Sequence, residues 1–121
     1  MRALVVDDSK SVRMIVGAIL QELGFQVAEA ADGQEALARL NQGEAVDLML
    51  VDWNMPVING YELVRAVRAN VLLTGVRIMM VTTETSMSQV EQALAAGANE
   101  YLMKPFTKEM LVEKLALLGM D

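Results

Sequence analysis

Cysteine and histidine are both absent from this chain of 121 residues. Without cysteine there are no disulfide bonds and no thiol chemistry, and the cytoplasm is the default location. Without histidine there is no internal histidine to serve as nucleophile, general base or metal ligand. Any chemistry at the chain's own side chains therefore depends on carboxylates, hydroxyls and lysines.

Long apolar runs and clustered basic residues are also missing. No run approaches the ~20 residues that a membrane-spanning helix needs, and no signal-peptide pattern opens the chain. The formal net charge is −6, and the ten Lys and Arg residues form no stripe. This pattern argues against direct binding of nucleic acid and against membrane insertion.

Hydrophobic residues make up 54% of the chain, and the length suits one packed domain. Ten methionines could form an adaptable binding surface. Most of them stand in apolar runs, as Met49, Met79, Met80 and Met103 do. We therefore predict that most methionines fill the core.

Short apolar runs alternate five times with stretches of helical spacing. The runs are RALVV, FQVAEA, DLMLV, VRIMMV and EYLM. Such near-continuous apolar runs are typical of strands buried on both faces of a parallel sheet. The chain is predicted to be one α/β domain, with a five-stranded parallel sheet and helices on both faces.

The helical stretches carry start and stop signals. The predicted caps are Asp32 with Glu35, Asn59 with Glu62, and Thr107, and the predicted stops are Gly24 and Gly97. The fourth helix is predicted to begin near Ser86 to Ser88. The expected buried positions are Val12, Ile15, Val16, Ile19, Leu20, Leu23, Leu37, Leu40, Leu63, Val64, Val67, Val90, Leu94, Leu111, Leu115 and Leu118.

Polar residues stand where the predicted strands end. Asp7 and Asp8 end the first strand and Asp52 ends the third, while Thr82 ends the fourth and Lys104 follows the fifth. Ligands of parallel α/β sheets bind at the carboxyl ends of the strands. If the first and third strands are neighbours, three carboxylates share one pocket with a hydroxyl and an ammonium.

Three ionised carboxylates in one pocket require compensation, because like charges raise one another's pKa. Lys104 supplies one positive charge, and the remaining −2 matches one divalent cation. Oxygen ligands suit Mg²⁺, which is commonly held by carboxylates together with a phosphate. The simplest interpretation makes Asp52 a phosphoryl acceptor. Asp7 and Asp8 then hold the metal, and Thr82 and Lys104 bind the phosphoryl oxygens.

The segments VVDDSKSVR, LVDWNMPVINGYELVRAVR, VTTE and YLMKPF together resemble the receiver domain of two-component response regulators, of the stand-alone, CheY-like chemotaxis type. The resemblance covers residues 1–121 as one receiver domain. It implies a three-layer, flavodoxin-like (βα)5 fold with strand order 2-1-3-4-5 and a cis Lys104-Pro105 bond. It also implies transfer of a phosphoryl group to Asp52 from a histidine of a separate sensor kinase.

The resemblance further implies a division of roles around Asp52. Mg²⁺ binds Asp8, Asp52 and the backbone carbonyl of Asn54, with Asp7 acting through water. Asn54 and Glu84 flank the path of the water that hydrolyses the acyl phosphate, and they tune dephosphorylation.

The resemblance also predicts how the signal is used. Thr82 and Tyr101 form a switch that alters the face of the fourth helix, fifth strand and fifth helix, around Met87, Val90 and Lys108. The expected partners are a sensor histidine kinase, an output protein such as a flagellar motor component or another regulator, and a phosphatase. The protein is expected to be a monomer that catalyses only its own phosphorylation and dephosphorylation.

Simpler interpretations stay open for several of these residues. Asp7 and Asp8 could merely favour the N-terminus of the next helix, and Thr83 competes with Thr82. Tyr101 could be ordinary packing, and Trp53 a partly exposed loop anchor.

Two further functions compete with the stand-alone switch. The chain could be a receiver cut from a larger regulator or hybrid kinase. An aspartyl-phosphate phosphatase of the haloacid-dehalogenase kind would need a second acid two residues after the nucleophile, where this chain has Asn54.

Overall fold

The computed structural model describes residues 1–83 and 87–120. Five strands alternate with five helices, and a short 3₁₀ helix, Val71–Leu73, precedes the fourth strand. The strands are β1 Arg2–Val6, β2 Gln26–Ala30, β3 Leu48–Asp52, β4 Arg77–Thr82 and β5 Glu100–Met103. The helices are α1 Lys10–Glu22, α2 Gly33–Asn41, α3 Gly60–Arg68, α4 Met87–Ala96 and α5 Lys108–Leu117. Every predicted strand and helix is present, but Ser86, named above for the start of α4, lies outside the described residues.

The sheet is fully parallel and its strand order is β2-β1-β3-β4-β5, as predicted. The central strands are buried on both faces, whereas the edge strand β2 exposes Gln26 and Glu29. Because β1 and β3 are neighbours, Val6 pairs with Val51 immediately before the acidic residues that end the two strands. The fold therefore brings those acids to one edge of the sheet.

Two separate cores lie on the two faces of the sheet. One joins the strands to α2, α3 and α4, and the other joins them to α1 and α5. Side chains alternate between the faces of a strand, so Leu4 belongs to the first core and Val5 to the second. Because of this alternation, each residue at a strand end points either toward α2, α3 and α4 or toward α1 and α5.

Several predictions about burial were wrong. Ile15 is 62% exposed and Leu94 is 39% exposed, while the small Ala93 takes the buried position on α4. Among the methionines, Met49, Met79, Met80 and Met120 are in the core, whereas Met55 and Met103 are only partly buried. Met1, Met14, Met87 and Met110 are exposed, so core filling does not account for most of the ten methionines.

The helix caps agree with prediction except in one detail. Asn59 and Glu62 form a reciprocal capping box, and Thr107 accepts a hydrogen bond from the N–H of Met110. Asp32 caps α2, but the Glu35 carboxylate accepts from the N–H of Ala31 and not from that of Asp32, so the predicted box does not close. Among the described residues, no helix is long and apolar enough to cross a membrane.

Candidate functional site

Three carboxylates converge at the carboxyl edge of β1 and β3. Asp7, Asp8 and Asp52 each offer an oxygen, and these oxygens all lie within 4.8 Å of one another. Asp7 is only 4% exposed, Asp52 is partly buried and Asp8 is exposed. The cluster is thus open to solvent on the Asp8 side.

Asp7 is fixed from three directions. Its N–H donates to the Ala30 carbonyl at 3.2 Å, and its Oδ1 accepts from the Ser9 N–H at 2.9 Å. Its own carbonyl accepts from Nη1 of Arg13 at 2.6 Å. Ser9, and not either acid, is the N-cap of α1. Neither acid therefore caps α1 directly, and Asp7 instead accepts from the N–H of the N-cap residue.

Lys104 places an ammonium between two of the acids. Its Nζ lies 2.9 Å from Oδ2 of Asp7 and 3.5 Å from Oδ1 of Asp52. Its backbone N–H donates to the Thr82 carbonyl at 2.8 Å, and its peptide bond to Pro105 is cis, as predicted. The lysine is thereby anchored to the end of β4 with its charge directed into the acidic cluster.

The pKa of the Asp52 carboxyl is raised above its ordinary value. Burial is the main cause, since desolvation disfavours the charged form. The Lys104 charge opposes the rise, the Asp7 charge adds to it, and a hydrogen bond from the Asn54 backbone lowers it. Asp52 is therefore a carboxylate whose ionised form gains from additional positive charge nearby.

The donor set of this cluster fits a hard cation. All three side chains offer carboxylate oxygens, and no nitrogen or sulfur ligand accompanies them. Three clustered negative charges face the single ammonium of Lys104, which leaves an excess of negative charge. Mg²⁺ prefers such oxygen ligands and retains several waters, and the exposed side at Asp8 has room for them.

The loop after Asp52 contains a turn that the sequence did not predict. The N–H of Ile58 donates to the Pro56 carbonyl at 2.9 Å, and Val57 between them has φ 71°. This is a γ-turn, a conformation that is rare and strained for a β-branched residue. It reverses the chain locally between Asp52 and α3, in the same loop as the exposed Asn54.

Gly60 closes this loop against the site. Its N–H donates to the Trp53 carbonyl at 2.9 Å, and a Cβ at this position would lie 2.5 Å from the Asp52 carbonyl oxygen and 2.7 Å from Cε of Met80. Trp53 is only 9% exposed and stacks on Tyr61 with ring centroids 5.9 Å apart. The alternative of a partly exposed loop anchor is therefore wrong for Trp53.

Thr82 and Tyr101 point to the same face of the sheet. Tyr101 pairs with Met80, and Thr82 follows Met80 by two residues, so alternation places all three side chains on the side of α3 and α4. Thr82 is 2% exposed, whereas Thr83 is exposed. Tyr101 is partly buried against this core, and Nζ of Lys114 lies 4.5 Å from its ring centroid. Glu84 lies outside the described residues.

Comparisons with known proteins agree with this geometry. The family model described as "Response regulator receiver domain" matches residues 3–116. A Campylobacter jejuni protein named "Chemotaxis protein CheY homolog" is 47% identical over 95% of this chain and 89% of its own length. The structure of Vibrio cholerae CheY4 is 43% identical, with a TM-score of 0.87 over 95% of both chains.

A larger protein is also similar in structure. A structure described as "probable two-component system response regulator/GGDEF domain protein" is 36% identical and has a TM-score of 0.89, covering 98% of this chain but 49% of that protein. The site has an acidic cluster beside a lysine and a cis proline after that lysine. These features and the similarity to the proteins named above lead to one assignment. The chain belongs to the response regulator receiver domain family and is a signalling domain of the CheY-like kind.

Proposed function

We propose that the protein is a phosphorylation-driven switch in which Asp52 accepts a phosphoryl group from a histidine of a sensor kinase. The observation that carries the proposal is the position of the Asp52 carboxylate, 3.5 Å from the Lys104 ammonium and within the cluster formed with Asp7 and Asp8. An incoming phosphoryl group needs a nucleophile and positive charge for its oxygens. Both are adjacent here.

In the proposed transfer, an Asp52 carboxylate oxygen attacks phosphorus, and the bond from phosphorus to the donor histidine nitrogen breaks. The electron pair of that bond stays with the imidazole. Lys104 exchanges part of its contact with Asp7 for a phosphoryl oxygen, and Thr82 binds a second one. Asp8, Asp52 and the Asn54 carbonyl would hold Mg²⁺, with Asp7 acting through water, and the ion would neutralise developing charge.

Loss of the signal is hydrolysis of the acyl phosphate at the same site. Water attacks phosphorus, the bond to the Asp52 oxygen breaks, and the carboxylate is restored. We propose that Asn54 and Glu84 tune this step, because Asn54 is exposed and follows the acceptor Asp52 by two residues, as Glu84 follows Thr82. In this proposal the chain catalyses only its own phosphorylation and dephosphorylation.

The output is proposed to be a changed surface on α4, β5 and α5. Met87 and Lys108 are exposed on this face, and Tyr101 connects it to the core beneath Thr82. A phosphoryl group brings about −1.5 to −2 charges and three acceptor oxygens. Drawing Thr82 toward these oxygens makes room beside Tyr101, whose ring then turns inward.

The names of the relatives favour a chemotaxis pathway. We propose a kinase, an output protein such as a flagellar motor component and a phosphatase as partners of a cytoplasmic monomer. A receiver within a longer regulator is the second candidate, favoured by the match to 49% of the GGDEF domain protein.

Intact-mass measurement after incubation with acetyl phosphate and Mg²⁺ tests the proposed acceptor. We expect one added phosphoryl mass, none in Asp52→Asn, and the wild-type result in Glu113→Gln, which removes an exposed charge on α5. Lys104→Ala is expected to slow labelling at least about tenfold, as for other lost charge-stabilising donors. Undiminished labelling of Asp52→Asn would show that another residue is the acceptor.

A further inference from the structure

A groove between α3 and α4 carries positive charge on an otherwise acidic protein. It has a volume of about 580 Å³ and is lined by Tyr61, Arg65, Arg68, Gln92, Ala95 and Ala96. Among the residues that the structure describes, no carboxylate lines it. Its lining includes none of the acidic cluster and none of Met87, Tyr101 and Lys108, although α4 contributes to both the groove and the α4-β5-α5 face.

Most basic residues of the chain are neutralised elsewhere. Six of the ten have a carboxylate within 4.0 Å, namely Arg2, Arg13, Arg39, Lys104, Lys108 and Lys114. Within residues 1–83 and 87–120, the other four have no such partner. Three of these four, Arg65, Arg68 and Arg77, lie around the C-terminal half of α3 and the start of β4.

Arg68 is held there by neutral acceptors alone. Its Nε donates to Gly97 O at 2.9 Å, its Nη1 to Leu73 O at 3.1 Å, and its Nη2 to Val76 O at 2.6 Å and Asn99 Oδ1 at 2.8 Å. Burial and the charge of Arg77 lower its pKa. These contacts fix the guanidinium in place without compensating its charge.

Arg65 is exposed and stands one turn earlier on the same helix. Its Cζ lies 5.9 Å from the centroid of the Tyr61 ring, which is itself stacked on Trp53. Arg65 and the Tyr61 hydroxyl on the α3 wall and the Gln92 amide on the α4 wall thus offer hydrogen-bond donors to the groove. Arg68 adds positive charge, although most of its N–H groups are already engaged. Ala95 and Ala96 are small and leave room for a peptide backbone to approach α4.

We propose that this α3-α4 groove binds a carboxylate-bearing segment of another protein. The net charge of −6 repels such a segment from most of the surface, so the uncompensated arginines select this one place. An open groove with a row of donors suits an extended acidic peptide, whereas a small ligand is usually enclosed more fully. Binding here does not require phosphorylation of Asp52.

The test uses the unphosphorylated protein and a short labelled peptide of alternating Glu and Ala. We expect fluorescence anisotropy to detect binding that weakens with salt, and amide NMR shifts at Gln92 and along α3. Trp53 emission is expected to change as well, because its ring contacts Tyr61. Arg65→Glu should weaken binding by about tenfold or more. Arg39→Glu, which alters an arginine on α2, should not.

Three results would overturn the proposal. They are equal affinity in Arg65→Glu and Arg39→Glu, NMR shifts that map away from the groove, and inorganic phosphate that reproduces the same shifts at the same concentration as the peptide. The last result would identify a small-anion site in place of a peptide site. Because Arg65 is exposed, its substitution leaves the contacts of Arg68 intact and the comparison valid.

Discussion

The ammonium of Lys104 donates a 2.9 Å hydrogen bond to the Asp7 carboxylate, which joins the loop after the last strand to the end of the first. Its distance to Asp52 is longer, 3.5 Å. The lysine is thus engaged mainly by a neighbour of the proposed acceptor. In the proposed transfer, an arriving phosphoryl group competes with Asp7 for this cation.

Substitutions at these neighbours are predicted to move the Asp52 pKa in opposite directions. Asp7→Asn should lower it, because a nearby negative charge is lost and Lys104 is released toward Asp52. Lys104→Met should raise it, because the main opposing charge is lost. NMR titration of the Asp52 carboxyl carbon in EDTA measures both values, with Glu113→Gln as the unaffected control. Shifts of the same sign in both variants would contradict this electrostatic account.

The raised pKa of Asp52 also predicts a pH-dependent cost to stability. An acid with a higher pKa in the folded state binds more protons when folded, so the free energy of unfolding falls as pH rises from about 3.8 through the folded pKa. Asp52→Asn removes this cost and should be more stable at neutral pH, by about 0.5–2 kcal/mol. Urea unfolding in EDTA measures this gain in stability, which should shrink as the pH falls through the folded pKa of Asp52 toward 3.8. A gain that does not vary with pH would point to a different cause.

Mg²⁺ binding is predicted to depend on the exposed Asp8. Asp8→Asn should weaken affinity by tenfold or more, because a carboxylate ligand is replaced by a neutral amide. Trp53 is the sole tryptophan and follows Asp52 directly, so its emission reports the titration. Glu113→Gln removes the same charge far from the cluster and should bind as the wild type does. If Mg²⁺ affinity fell equally in both variants, the affinity would depend on net charge and not on Asp8 as a ligand.

Gly60 is predicted to be essential for the geometry of the site. Gly60→Ala would place a Cβ 2.5 Å from Asp52 O and 3.0 Å from Trp53 Cα, and the expected destabilisation is about 1–3 kcal/mol. Gly75→Ala is the matched control, since nothing lies within 4 Å of a Cβ there. Thermal unfolding compares the two. If Gly60→Ala left the unfolding temperature unchanged, the loop would be able to shift without loss of stability.

The proposed switch predicts a long-range response to the acyl-phosphate mimic beryllofluoride. Amide shifts should extend from the loops around Asp52 to Tyr101 and α4 in the wild type. Thr82→Ala should confine them to the loops, because no hydroxyl is drawn toward the bound group. Equally extensive shifts in both proteins would exclude Thr82 as the link.

The strand ends were predictable because apolar runs and polar ends are local signals. Asp7, Asp52 and Lys104 come together as expected, since parallel strands align their carboxyl ends at one edge. The strand order itself came from the family resemblance, because spacing along a chain does not determine which strands are neighbours.

Other features depend on packing that spacing does not reveal. Ile15 has the right period for burial, yet it lines an open groove with Pro105 and Phe106. On α4 the buried residues are Val90, as predicted, and Ala93 in place of Leu94. The γ-turn at Val57 contradicts the extended preference of β-branched residues. Pro56 and Gly60 are residue types common in turns, but they do not specify a γ-turn at Val57.

The two cores share no side chain although they share every strand, as Leu4 and Val5 illustrate. Substitutions that do not touch one another usually have additive effects on stability. Variants on the α1-α5 side are therefore expected to combine additively with those on the α2-α3-α4 side, and less so within a side. Each face of the sheet can accordingly accumulate sequence change at its own rate during evolution. One surface can adapt to a new binding protein while the packing under the opposite surface is preserved.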